Sequence, residues 1–114
     1  MAVTFKKQII DFLKKYNPKK NKKILICGLT YKKNVADLRN SLPMKIFSEL
    51  KKKYNKIKGY DPLLDRSISE KYKFVNSLKE FKKFDIYIVI TNHSIIQKNL
   101  KKLNKSKEIM NILN

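Results

Sequence analysis

The chain is poor in the residues that most catalytic mechanisms need. Its single cysteine, Cys27, rules out an internal disulfide and favours a reducing compartment. Cys27 also sits inside an apolar run, where a free thiol serves as a small hydrophobe rather than an exposed nucleophile. One histidine, His93, and scattered carboxylates are too few to suggest a metal site. With only two glycines, Gly28 and Gly59, the chain has neither the G-x-G-x-x-G fingerprint of dinucleotide folds nor a P-loop. No segment approaches the roughly 18 consecutive apolar residues of a membrane span. The opening MAVTFKKQIIDFLKK lacks the apolar stretch of a signal peptide, so no membrane contact and a cytoplasmic location are expected.

Acidic residues are scarce as well. Nine Asp and Glu face 28 Lys and Arg, a formal net charge of +19. Such a balance points to phosphates, nucleic acid or acidic surfaces. Yet only two of the cations, Arg39 and Arg66, are arginine, the residue whose planar fork reads phosphate and guanine edges. The lysines keep company with abundant Asn and Ile, as a genome rich in A and T would produce. Charge alone therefore leaves coding composition and an anionic partner both open.

What is present is enough for one globular domain. At 114 residues, 42 % hydrophobic, the chain can bury roughly two thirds of its unfolded surface. Phe5, Ile9, Phe12, Leu13 and Tyr16 recur at helical spacing, predicting an amphipathic helix over 4–16 that Asn17 and Pro18 end. A basic linker, KKNKK, follows. KILICGL reads as a strand covered on both faces. Ser41 and Pro43 mark a helix start, with Ile46, Phe47, Leu50 and Tyr54 as its buried stripe. KIKGYDP predicts a second strand, YKFV a weaker third, and Ser77 to Lys82 a short helix. FDIYIVITN is the most convincing strand. A helical stripe at Ile96, Leu100 and Leu103 and a closing strand, EIMNILN, complete the series. Alternation of this kind predicts an α/β, Rossmann-like parallel sheet of about five strands, order 3-2-1-4-5, with helices on both faces plus the N-terminal helix. The expected division is a helix and basic linker from a preceding domain over 1–22, and the sheet domain over 23–114.

In such sheets ligands bind beyond the carboxyl ends of the strands. Three segments should meet there: Thr30 to Asn40, the turn at Asp61 and Pro62, and Thr91 to Ser94. The first is longer than the ~2–6 residues a plain connector needs. It carries Tyr31, Lys32, Lys33 and Arg39. A lysine there can offset phosphate charge, Tyr31 can pack on a ring, and Arg39 can fork onto a phosphate or carboxylate. Equally, Arg39 can brace the loop by pairing with Asp37 or Asp61. Asp61 lies 33 positions beyond Gly28, rather than the usual ~20 of a ribose-gripping acid, and Pro62 beside it favours a turn. His93, just past a strand's carboxyl end, is placed to meet a ligand, but a lone histidine after Thr91 and Asn92 reads more readily as a turn or packing residue.

The run ILICGLTYKKNVADLRNS resembles the opening of the C-terminal, UDP-binding domain of the UDP-glucose/GDP-mannose dehydrogenase family. The pattern there is G-L-(A/T)-(F/Y)-K-x-x-x-x-D-x-R-x-S, matched by Gly28, Leu29, Thr30, Tyr31, Lys32, Asp37, Arg39 and Ser41. GYDP at 59–62 is similar to the family's turn after the second strand, and DIYIVITNHSII to its late strand and following turn. Bacterial UDP-N-acetylhexosamine 6-dehydrogenases resemble it most in feel. The resemblance implies binding of a UDP-sugar by Tyr31 and Lys32, with Arg39 reaching toward NAD held mainly by an N-terminal domain. It implies that Gly28, Asp37, Ser41 and Asp61 order the loop, Ser41 also capping the helix.

The family oxidises a nucleotide sugar twice at C6 for polysaccharide precursors, reducing two NAD. The glycine-rich NAD domain, the central domain and the catalytic cysteine with its Lys and Asp partners are not in this sequence, and Cys27 is on the wrong strand to replace the last. Asn111 stands where an Asp is usual. The chain alone is thus expected to be inactive and to hold no cofactor: a fragment, a remnant, or a piece completed by the missing domains on another chain. The competing expectation is a basic nucleic-acid or polyanion module on a remnant Rossmann-like fold.

Overall fold

A computed structural model describes residues 2–112. Four parallel strands form one sheet, in the order β2-β1-β3-β4. They are β1 (Ile24–Cys27), β2 (Ile57–Tyr60), β3 (Ile86–Val89) and β4 (Glu108–Asn111). The register sets Ile24 beside both Ile57 and Ile86, and Ile86 beside Glu108. Helices α1 (Ala2–Tyr16), α2 (Leu42–Lys51), α3 (Arg66–Lys71), α4 (Leu78–Phe81) and α5 (Ser94–Leu100) fill the connections.

Side chains alternate across the two central strands, as a pleated strand requires. Ile24, Ile26, Ile86 and Ile88 face one core with Ile9 and Leu13 of α1 and Ile46, Phe47 and Leu50 of α2. Leu25, Cys27, Tyr87 and Val89 face the other, with Phe81 of α4 and Ile96 of α5. Both faces are covered, which explains why β1 and β3 read as unbroken apolar runs. The helix start at Ser41 is as the sequence predicts. The Ser41 hydroxyl accepts from the Met44 amide and donates to the Leu29 carbonyl, fastening α2 to the end of β1.

The sheet differs from expectation in one place. The predicted third strand, YKFV, shrinks to a single parallel bridge between Val75 and Tyr60. The chain leaves α3 through Lys73 at φ 57°, bonds Phe74 N–H back to Ser69, and is capped into α4 by Ser77 soon after. Only one residue is left to pair, so order 3-2-1-4-5 survives with four strands and a bridge. Helix α3 is not predicted; RSISEK offers one apolar side chain, Ile68, and so no periodicity. The predicted closing strand ends at Asn111, and its last two residues lie outside the described ones.

Candidate functional site

The carboxyl edge of the sheet gathers the three expected segments around one buried carboxylate. Asp61, 1 % exposed, follows β2 directly. Its Oδ2 accepts from the Leu29 amide at 2.8 Å and the Thr30 amide at 3.1 Å, both beyond β1. The same oxygen lies 2.9 Å from Nε2 of His93, beyond β3. Its Oδ1 accepts from the Leu63 amide at 3.1 Å and makes the turn at Pro62. One side chain therefore ties three strand ends together, at charge-assisted strength.

The tautomer of His93 follows from its neighbours. Nδ1 lies 2.8 Å from the Asn34 backbone nitrogen, whose N–H can only donate, so Nδ1 accepts. The ring proton is then on Nε2, shared between Asp61 Oδ2 and the Thr30 hydroxyl at 2.8 Å. Thr91 closes the set by donating its hydroxyl to the Thr30 carbonyl at 2.6 Å. His93 and Thr30 are fully buried. This is an internal brace without an open face, so His93 offers no free nitrogen for catalysis.

The brace fixes the loop that runs above it. Asn34, at φ 61°, exchanges bonds with Ser94 through both ends of its amide. Tyr31 N–H donates to the Asp37 carbonyl and Val35 N–H to the Lys32 carbonyl, folding the loop onto itself. Arg39 forks onto Asp37 with two bonds of 3.0 Å, and its own backbone N–H reaches the same carboxylate at 2.9 Å. Hydrogen bonding from Arg39 lowers the Asp37 pKa to about 2 and raises that of Arg39. The pair brings two of the predicted site residues together on the surface and keeps the fork intact down to acid pH.

Tyr31 and Lys32 point outward. Tyr31 is 64 % exposed, large for an aromatic ring, and Lys32 and Lys33 beside it are exposed too. Neither Tyr31 nor Lys32 lines the cleft of about 370 Å³ that opens beside the Asp61–Pro62 turn, where Arg66 and Asn76 stand. The predicted binding pair thus stands exposed outside that cleft, on a loop held in place from beneath.

Gly28 lets the ends of β1 and β3 approach closely. It has φ +85°, and a Cβ there would meet the Thr91 carbonyl oxygen at 1.9 Å. The backbone after β3 passes directly against this turn and leaves no room for a side chain. Cys27 is fully buried, and burial first, then the nearby Asp61 charge, pushes its thiol far up. It is no thiolate nucleophile. Among the described residues no helix is long and apolar enough to cross a membrane.

Sequence reading overlooked the His93–Thr30–Asn34 part of the brace. The available signal was that Asp61 and His93 each stand just past a strand whose ends must meet.

Comparison with known proteins agrees with this architecture. Residues 25–113 match the model of the UDP-glucose/GDP-mannose dehydrogenase family, UDP binding domain. No curated protein sequence matches the chain. Among solved structures, a UDP-N-acetyl-mannosamine dehydrogenase, Cap5O from Staphylococcus aureus, superposes with a TM-score of 0.73 at 22 % identity, over 96 % of this chain and 27 % of that one. A UDP-D-ManNAc dehydrogenase from Pyrococcus horikoshii gives 0.69 at 18 % identity, over 98 % of this chain and 30 % of that one. At these identities the structural likeness establishes the fold, and the chain spans under a third of either protein. The family match covers most of its length, and the chain therefore belongs to the UDP-glucose/GDP-mannose dehydrogenase family, as its UDP binding domain.

Proposed function

We propose that the loop over 30–40 holds the UDP part of a nucleotide sugar for a dehydrogenase whose other domains lie elsewhere. Lys32 offsets the pyrophosphate charge and Tyr31 packs against the sugar nucleotide. Arg39, steadied by Asp37, faces the NAD that another domain carries. Helix α1 is the exit from that preceding part, and residues 1–22 its connection. The contribution of this chain to the double oxidation at C6 is positioning, since it supplies no nucleophile.

The observation that carries the reading is the brace beneath an outward-facing Tyr31 and Lys32. A buried carboxylate, a histidine and two threonines are committed to fixing a loop whose exposed side chains touch little else. Such preorganisation removes the entropic cost of ordering the loop when a ligand arrives. Because both side chains are exposed outside the cleft beside the Asp61–Pro62 turn, the second wall comes from the dehydrogenase's other domains, and affinity of this domain for free nucleotide is modest.

Thermal unfolding tests this. A ligand at ~100 times its Kd adds about 2.7 kcal/mol of stability. The expected result at physiological salt is stabilisation by UDP in excess of ADP or GDP, abolished in Lys32→Ala. Equal stabilisation by all three diphosphates, unchanged in Lys32→Ala, contradicts it.

A further inference from the structure

The excess positive charge is not spread evenly over the fold. It collects at the amino-terminal edge of the sheet, opposite the loop over 30–40. The connection entering β1, residues 18–23, has four lysines and no acid. Residues 52–56, entering β2, have three and no acid. Residues 101–107, entering β4, have four and no acid. Residues 82–85, entering β3, have two lysines and Asp85, whose carboxylate accepts from the Lys23 backbone. At the carboxyl edge, by contrast, Lys32, Lys33, Arg39 and Arg66 are balanced by Asp37, Asp61, Asp65 and Glu70, the last paired with Arg66.

Two bland explanations fall short. Coding composition enriches lysine everywhere and does not choose an edge. Helix C-termini attract cations, but the last turns of α1, α2 and α5 already hold Lys14, Lys15, Lys51 and Lys98. The connection lysines come on top of these. Some are also seated: Lys23 Nζ lies 4.9 Å over the Phe84 ring and Lys20 Nζ 5.5 Å over that of Tyr54. Between β1 and β2 this edge opens into a cleft of about 290 Å³, lined by Lys23 and Lys56 above Ile57 and Phe84, with Lys58 paired to Glu80 at 3.0 Å on its rim.

We infer that the amino edge of the sheet is a docking surface for the phosphate backbone of nucleic acid. Four strands at ~4.8 Å spacing span about 15 Å between the outer two. A duplex carries one charge per ~1.7 Å with both strands counted, so about nine phosphate charges lie along that length and roughly half of them face the protein. With lysine and no arginine in these connections, the surface meets phosphates as point charges and has no fork for base edges. Binding is therefore independent of sequence. None of the large exposed apolar residues (Tyr31, Val35, Tyr72, Ile95, Ile109) lies in these connections, so a membrane finds no wedge here. The surface is separate from the sugar-nucleotide loop and stands or falls without it.

Fluorescence anisotropy with a labelled DNA duplex of about 20 base pairs, from about 50 to 200 mM salt, provides the test. One variant replaces Lys22, Lys53, Lys83 and Lys105 by Gln, one per connection. A control removes the same charge by replacing Lys7, Lys33, Lys45 and Arg66 by Gln, none of them in a last helical turn or in a connection entering a strand. Melting curves confirm that both fold. The expected outcome is a steep salt slope for the native chain that flattens by about 3–4 in the edge variant, with affinity down more than about tenfold. The control should change less than about threefold. Equal losses in both variants, no salt-dependent binding by the native chain, or tighter binding to phosphatidylserine vesicles than to duplex at equal phosphate would each overturn the inference.

Discussion

Asp61→Ala will cost about 4–5 kcal/mol of stability, a large part of the roughly 5–15 kcal/mol that a domain of this size possesses. The substitution strands the amides of Leu29 and Thr30 and the Nε2 proton of His93 in a buried site. Each stranded donor costs about 1–3 kcal/mol. Thr30 can recover the His93 proton, which is why the total falls below the sum. Asp61→Asn will cost about 2 kcal/mol, because the amide can accept on one side but turns a donor toward the Leu63 N–H on the other. Urea titration measures both. A loss under about 1 kcal/mol for the alanine variant means that water replaces the carboxylate and that the loop is not braced as described.

Gly28→Ala should be at least as damaging, at about 3–5 kcal/mol, and for a different reason. A left-handed φ alone costs an L side chain about 1–2 kcal/mol. The larger cost is steric, because the Cβ would overlap the Thr91 carbonyl. Relief requires the ends of β1 and β3 to separate, breaking the bond from Ile90 N–H to the Cys27 carbonyl and loosening that of Thr91 with Thr30. The same titration reads it, and hydrogen exchange at Ile90 locates the damage. Near-native stability would mean that the β3 turn moves freely and that Gly28 is there for a ligand.

Both substitutions strike the part of the site that local sequence could not reveal. Strands β1 and β3 were legible because both their faces are buried, and α2 because Ser41 and Pro43 announce it. The loop was legible through its residue pattern and its length. The brace was not, since Asp61 lies 32 residues from Leu29 and 32 from His93, and Thr30 lies 63 from His93. Only the sheet order brings them together, and that order is a global property. Helix α3 and the shortened third strand were missed for the opposite reason: their few residues hold so little apolar surface that tertiary context alone decides them. The choice between a bracing and a ligand role for Arg39 was left open by its sequence position, and the fork onto Asp37 now gives it a partner that a ligand would have to share or displace.

Two edges of one small sheet thus present different faces to anions, a charge-balanced loop on a rigid brace and a lysine field. The most direct measurement is an amide NMR titration of the chain with UDP, reading which residues respond. The account predicts shifts at Tyr31, Lys32 and Lys33, larger with UDP than with ADP, while Asp61 and His93 stay still beneath them. Shifts confined to the lysines entering β1, β2 and β4, equal for both nucleotides, would contradict it.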